Sequence, residues 1–157
     1  GWAAGEFGSI FHTVDGGKTW QAQQSGVENV FFSIQAVDSQ NVWVAGIDAI
    51  ILHSTDGGQT WQKVETGIKK VAPFYALTFA DSNNGVVAGQ GIVLCTQDGG
   101  SSWKMAQFAG GKNNAVVDYL WLYRIVSSSP TTMWMVGDAG KIFRSMNNGE
   151  VWEEITY

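Results

Sequence analysis

Ser54-Thr55-Asp56-Gly57-Gly58-Gln59-Thr60-Trp61 decides the fold, because it recurs. Thr13-Val14-Asp15-Gly16-Gly17-Lys18-Thr19-Trp20 and Thr96-Gln97-Asp98-Gly99-Gly100-Ser101-Ser102-Trp103 repeat it closely, and Ser145-Met146-Asn147-Asn148-Gly149-Glu150-Val151-Trp152 is a worn fourth copy. The tryptophans fall 41, 42 and 49 residues apart. A period in the low forties is that of a four-stranded propeller blade.

Outward from the box, each period divides into four strands. In the second period these are residues 32–37, 42–45, 49–53 and 61–65, rich in β-branched and aromatic residues and separated by Gly, Asn, Asp and Ser turns. Nothing reads as a helix. The blades fall at about residues 1–26, 31–67, 74–109 and 119–157, with Lys69-Lys70 and residues 110–114 as inter-blade loops. Gly1 to Gly5 match a second strand, so the first blade lacks its innermost one. The expected fold is all-β, a propeller of four blades, each a four-stranded antiparallel sheet except the first.

The box explains itself locally. Its Asp accepts hydrogen bonds from its own turn, and its glycines allow positive φ. The Ser or Thr two positions earlier adds a further bond, and the Trp buries a large surface against the neighbouring blade. Thr13, Asp15, Gly17 and Trp20, then Ser54, Asp56, Gly58 and Trp61, then Thr96, Asp98, Gly100 and Trp103 are therefore structural. In the fourth copy, Ser145, Asn147, Gly149 and Trp152 keep the turn, but Val151 lacks the hydroxyl.

Composition narrows the function. Nine Lys and Arg against fourteen Asp and Glu, a net charge of −5, give no concentrated basic surface for nucleic acid. Cys95 is the single cysteine and has no partner for an intrachain disulfide. No apolar run approaches the roughly 18 residues of a membrane span. His12, His53, Cys95 and Arg144 share one repeat position. Equivalent positions on neighbouring blades lie about 10 Å apart, far beyond the ~2.0–2.3 Å bonds of zinc, so no metal site is expected there. Asp38, Asp81 and Asp118 lie in predicted loops without the spacing of a catalytic carboxylate pair, no nucleophile elbow occurs, and no cofactor is implied.

Boxes of this form resemble those of Asp-box (BNR) propellers, which include sialidases, sortilin-like receptors and xyloglucan-cleaving hydrolases. The fuller pattern adds Gly1-Trp2-Ala3-Ala4-Gly5, Val42-Trp43-Val44-Ala45-Gly46, Gly85-Val86-Val87-Ala88-Gly89 and Met133-Trp134-Met135-Val136-Gly137, each ahead of a box. It is similar to the photosystem II stability/assembly factor family. That resemblance implies a non-catalytic interaction or assembly scaffold, extracytoplasmic, with an arginine-rich patch that engages the reaction centre. This chain has two arginines, Arg124 and Arg144, too few for that patch or for the arginine triad of a sialidase. The alternative is a carbohydrate-active segment, either glycan-binding or part of a hydrolase.

In an up-and-down blade, the loops after strands two and four share one face, opposite the boxes. That face holds the variable segments 24–30, 66–73 and 108–118, and variable loops on a rigid scaffold carry binding function. The loops after strand two offer Glu6, Asp48, Gln90 and Asp138 at equivalent positions, an arc of acidic and amide groups at the channel mouth suited to a basic peptide, an amine or sugar hydroxyls. Acidic residues are also good turn formers. Tyr119, Trp121 and Phe74 are the aromatic candidates for a glycan platform, whereas a protein-binding face would show a broader apolar patch. Four blades are few for a closed ring. The chain is expected to be a homo-oligomer, a dimer closing an eight-bladed ring, or else a segment of a longer propeller.

Overall fold

The structure is a computed structural model and describes residues 1–69, 72–109 and 117–156. Lys70, Val71, residues 110–116 and Tyr157 lie outside it, so parts of two expected loops and the end of the fourth blade do too. The described chain is all-β and forms a partial propeller. Strands β1 (Trp2–Ala4), β2 (Ser9–His12) and β3 (Gln21–Gln24) make a three-stranded first sheet without an innermost strand. The second sheet runs β4 (Phe31–Ala36), β5 (Val42–Gly46), β6 (Ile51–Ser54) and β7 (Gln62–Lys63), and the third runs β8 (Phe74–Phe79), β9 (Gly85–Gly89), β10 (Ile92–Thr96) and β11 (Lys104–Met105).

The fourth sheet differs from expectation. To β13 (Leu122–Ser127), β14 (Met133–Gly137), β15 (Ile142–Ser145) and β16 (Val151–Glu154) it adds β12 (Gln107–Phe108), paired in parallel with β16. After β11 the chain steps across buried Ala106 onto the outer edge of the next blade, where the Gln107 N–H donates to the Glu150 carbonyl. The step covers an edge that would otherwise expose unpaired backbone groups. The absence of helix also needs correction. One-turn 3-10 segments, Ile47–Ala49 and Asp138–Gly140, sit in two of the turns after strand two. They are tight turns with left-handed residues inside.

Among the described residues, three hydrophobic clusters lie between blades, not within them. One joins the first and second through Ile10, Phe31, Val44 and Leu52, the next joins the second and third through Trp43, Phe79, Leu94 and Trp103, and the last joins the third and fourth through Val86, Cys95, Phe143 and Trp152. Burial along the second strands follows from this. All five residues of β5 and of β9 are buried, because both faces of those sheets are covered. In β14, Met133 and Met135 are buried while Trp134 is half-exposed and Val136 exposed, the alternation of a sheet covered on one face.

Candidate functional site: the channel mouth

The innermost strands β4, β8 and β13 line a cavity of about 710 Å³ with Phe32, Gln35, Tyr75, Thr78, Tyr123 and Arg124 among its walls. Each of these strands opens with a buried apolar residue followed by an aromatic: Phe31-Phe32, Phe74-Tyr75, Leu122-Tyr123. The register slips at this point in all three, between Phe31 and Ser33, Phe74 and Ala76, Leu122 and Arg124. A β-bulge places an extra residue on one strand and re-aims its side chain. Here the extra residue is the aromatic, and the rings meet in the cavity. Phe32 lies 5.2 Å from Tyr75, Tyr75 lies 6.1 Å from Tyr123, and Trp121 joins them at 5.9 Å from Tyr75. Phe32, Tyr123 and Trp121 are nonetheless 45, 48 and 43% exposed. Beneath the rings, Ser33 and Gln35 reach from β4 to the backbone of Leu77 and Phe79 on β8 and stitch the two inner strands together.

Of the residues chosen from sequence, the structure gathers three. Gln90 forms an antiparallel bridge with Trp121, and the Asp138 carboxylate accepts the Trp121 backbone N–H at 3.3 Å. Asp48 accepts a long bond from Asn29 at 3.4 Å, and Glu6 is exposed on the first blade. Tyr119 is 91% exposed, but Phe74 is fully buried, and Tyr75 occupies the channel in its place. The four turn residues are also not equivalent. Glu6, Ile47 and Asp138 each accept a bond from the N–H three residues on, across two left-handed residues: Phe7-Gly8, Asp48-Ala49, Ala139-Gly140. Both central φ values are positive, as in a type I′ hairpin. Asp48 is thus a tip residue, Ile47 holds the position of Glu6 and Asp138, and the arc of polar groups is broken at the second blade.

The boxes lie at the other end of the strands, against the loops after strand one, where the Gly57 and Gly99 N–H groups donate to the Gln40 and Asn83 carbonyls. In the second box, Asp56 accepts the Ser54 hydroxyl at 2.8 Å, the Thr60 N–H at 2.9 Å and the Thr60 hydroxyl at 2.6 Å, while the Ser54 oxygen accepts the Gly58 N–H at 2.7 Å. These bonds, led by those from Thr60, hold the Asp56 carboxyl down at about 2, and the equivalent bonds do the same for Asp15 and Asp98. Asn147 repeats the turn by accepting the Ser145 hydroxyl and the Val151 N–H, without a hydroxyl bond from position 151.

The shared position of His12, His53, Cys95 and Arg144 also has a packing role. Each pairs across strands with Trp2, Trp43, Val86 or Trp134. His12 and His53 stack on their tryptophans at 4.3 and 3.7 Å, and burial lowers the pKa of both imidazoles. Burial raises the Cys95 thiol to about 11. Among the described residues, no three His, Cys, Asp or Glu side chains gather as metal ligands. No helix among them is long and apolar enough to cross a membrane. Arg124 lines the channel and Arg144 lies over the Trp134 ring, so the two arginines are not neighbours in the sheet.

The family model for the photosynthesis system II assembly factor YCF48 matches residues 1–71, just under half of the chain. Among solved structures, YCF48 bound to a D1 peptide superposes with a TM-score of 0.66 at 23% identity, over 80% of this chain and 39% of its own. YCF48 from Cyanidioschyzon merolae gives 0.69 at 14% identity, over 93% of this chain and 49% of its own. An ancestral GH74 enzyme gives 0.77 at 20% identity, over 99% of this chain and 22% of its own. The chain thus spans less than half the length of each. A search among curated proteins finds no match. The chain is an Asp-box (BNR) propeller that resembles the photosystem II assembly factor, and at these identities the superpositions show the fold alone.

Proposed function

We propose that this Asp-box propeller is a non-catalytic protein-interaction scaffold whose channel mouth takes a segment of a partner protein bearing apolar and basic residues. The observation that carries this reading is the cluster of Phe32, Tyr75, Trp121 and Tyr123, neighbouring rings on or just ahead of three inner strands, with Phe32, Trp121 and Tyr123 exposed and Tyr75 half-buried among them. Large aromatics are normally covered, and a contiguous exposed group of them marks a contact surface. Aromatic ring faces attract cationic side chains, and the Asp138 carboxylate bound to the Trp121 backbone and the net charge of −5 work in the same direction. YCF48, one of the proteins it resembles, has been solved with a bound peptide. Self-association is part of the same reading, with two copies closing an eight-bladed ring.

The second reading, a glycan platform, draws on one observation: Trp121, exposed at the channel mouth, has its backbone N–H held by the Asp138 carboxylate. Calorimetric titration separates the two, using a hexapeptide of alternating Leu and Lys, its Leu-Glu counterpart and a xyloglucan oligosaccharide. The scaffold reading expects heat from the Leu-Lys peptide alone. Tyr75→Ala or Trp121→Ala should weaken that binding about tenfold, the loss typical of a truncated aromatic anchor. Binding of the oligosaccharide with neither peptide bound would replace the protein reading with the glycan one.

A further inference from the structure

Side chains join the inner strands of blades two and three, and the same join is missing between blades three and four. The Ser33 hydroxyl of β4 accepts the Leu77 N–H of β8 at 3.1 Å. The Gln35 amide meets Phe79 twice: its Oε1 accepts the Phe79 N–H at 2.6 Å, and its Nε2 donates to the Phe79 carbonyl at 3.1 Å. One donor and one acceptor offered to a single residue is what a neighbouring strand supplies. The inner edge of β8 thus holds an amide group as it would hold a peptide.

On the third blade the equivalent positions, fixed by their pairing with Ala88 and Val86, are Ala76 and Thr78. Ala76 has no polar group, and the Thr78 hydroxyl has far less reach than the Gln35 amide. The residues on β13 that match Leu77 and Phe79 are Ile125 and Ser127, paired with Met135 and Met133. In an antiparallel pair, alternate residues turn their N–H and C=O away from the partner strand. Leu77 and Phe79 do so, and the same register turns those of Ile125 and Ser127 into the cavity of about 710 Å³ that both residues line. Among the described residues, no side chain and no other backbone group meets them there. Backbone groups in that position call for partners.

The two N–H groups lie about 7 Å apart along the strand, the repeat of an extended chain. Trp121 and Tyr123 come just before Ile125, so the rings stand at one end of this edge. We infer that an extended segment of the partner protein passes the rings and pairs its backbone with Ile125 and Ser127, adding a strand to the inner edge of the fourth blade. This rests on the peptide-binding reading above and adds how the segment is held. Main-chain bonds fix its path, and the rings take its side chains.

Calorimetry with the Leu-Lys hexapeptide tests this through one variant and two modified peptides. Ala76→Ser combined with Thr78→Gln copies Ser33 and Gln35 onto the third blade, where they meet Ile125 and Ser127, and leaves every ring in place. The double variant should keep the wild-type melting temperature or exceed it, followed by circular dichroism. It should bind the hexapeptide about tenfold more weakly, the loss of one or two net hydrogen bonds. An extended chain sends alternate N–H groups to opposite edges, so N-methylation of every Leu blocks one edge and of every Lys the other. One of these peptides should lose about tenfold in affinity and the other keep it. In the wild-type complex, amide exchange at Ile125 and Ser127 should slow by about tenfold or more. Equal affinities for the two methylated peptides, unslowed exchange at saturation, or a folded double variant that binds like the wild type would overturn strand pairing and leave the channel-mouth reading standing. No heat from the unmodified hexapeptide would overturn both.

Discussion

Asp15, Asp56 and Asp98 each gather a neighbouring backbone N–H and two hydroxyls onto one carboxylate, and each is held at about 2. A carboxyl depressed below its ordinary 3.8 contributes stability that is complete above that value and is lost as pH falls toward 2. The melting temperature followed by circular dichroism should therefore be flat from neutrality to about pH 4 and fall between pH 4 and 2. Asp56→Asn and Asp98→Asn copy the fourth box, so each should lower the melting temperature at pH 7 and flatten the acid fall. Every partner in the box lies within eight residues of sequence, which is why this chemistry could be read without a structure. The aromatic site could not. Alternation puts Phe74 in the channel and Tyr75 in the core, and the bulge reverses them, a matter of register set between strands and not by local sequence. The doublets Phe31-Phe32, Phe74-Tyr75 and Leu122-Tyr123, at the same place in three periods, were the available signal.

At the scale of the element, the second glycine of the boxes in blades two to four works twice, by its positive φ and by its closeness to the preceding blade. Gly16 has a φ of 75° with nothing within 4 Å of an added Cβ, whereas Gly100 has a φ of 83° and Trp43 at 2.3 Å. Gly16→Ala should cost about 1–2 kcal/mol, the left-handed penalty alone. Gly100→Ala should cost a further ~1–3 kcal/mol as the ring is displaced. Urea titration of the two variants gives the difference. The box tryptophans form a graded series, from Trp20 at 45% exposure to Trp103 at 7% and Trp152 at 0%. Trp152→Ala should cost about 3–5 kcal/mol, and Trp20→Ala much less in the monomer. Strand positions were legible from the repeat, but the parallel step of β12 onto β16 was not, since it joins consecutive blades through two residues with no pattern of their own.

Across the whole molecule, stability resides in the seams between blades, and Cys95 reports on one of them. It lies fully buried in the cluster shared by blades three and four, with its thiol pushed up to about 11. Disulfide reagents should leave it untouched in the folded chain and modify it only as that seam opens, at the rate of unfolding. The separation of the two ends of the blades was readable from the order of strands and loops, and it places the stapled boxes opposite the accessible rings. The central claim is that the ring end binds and the box end holds the fold. The most direct measurement is a map of backbone amide shifts on adding the Leu-Lys hexapeptide. The account predicts changes gathered at Phe32, Tyr75, Trp121, Tyr123 and Asp138, with the amides of Gly17, Gly58 and Gly100 unmoved. Shifts centred on those glycine amides, or none at the rings, would contradict it.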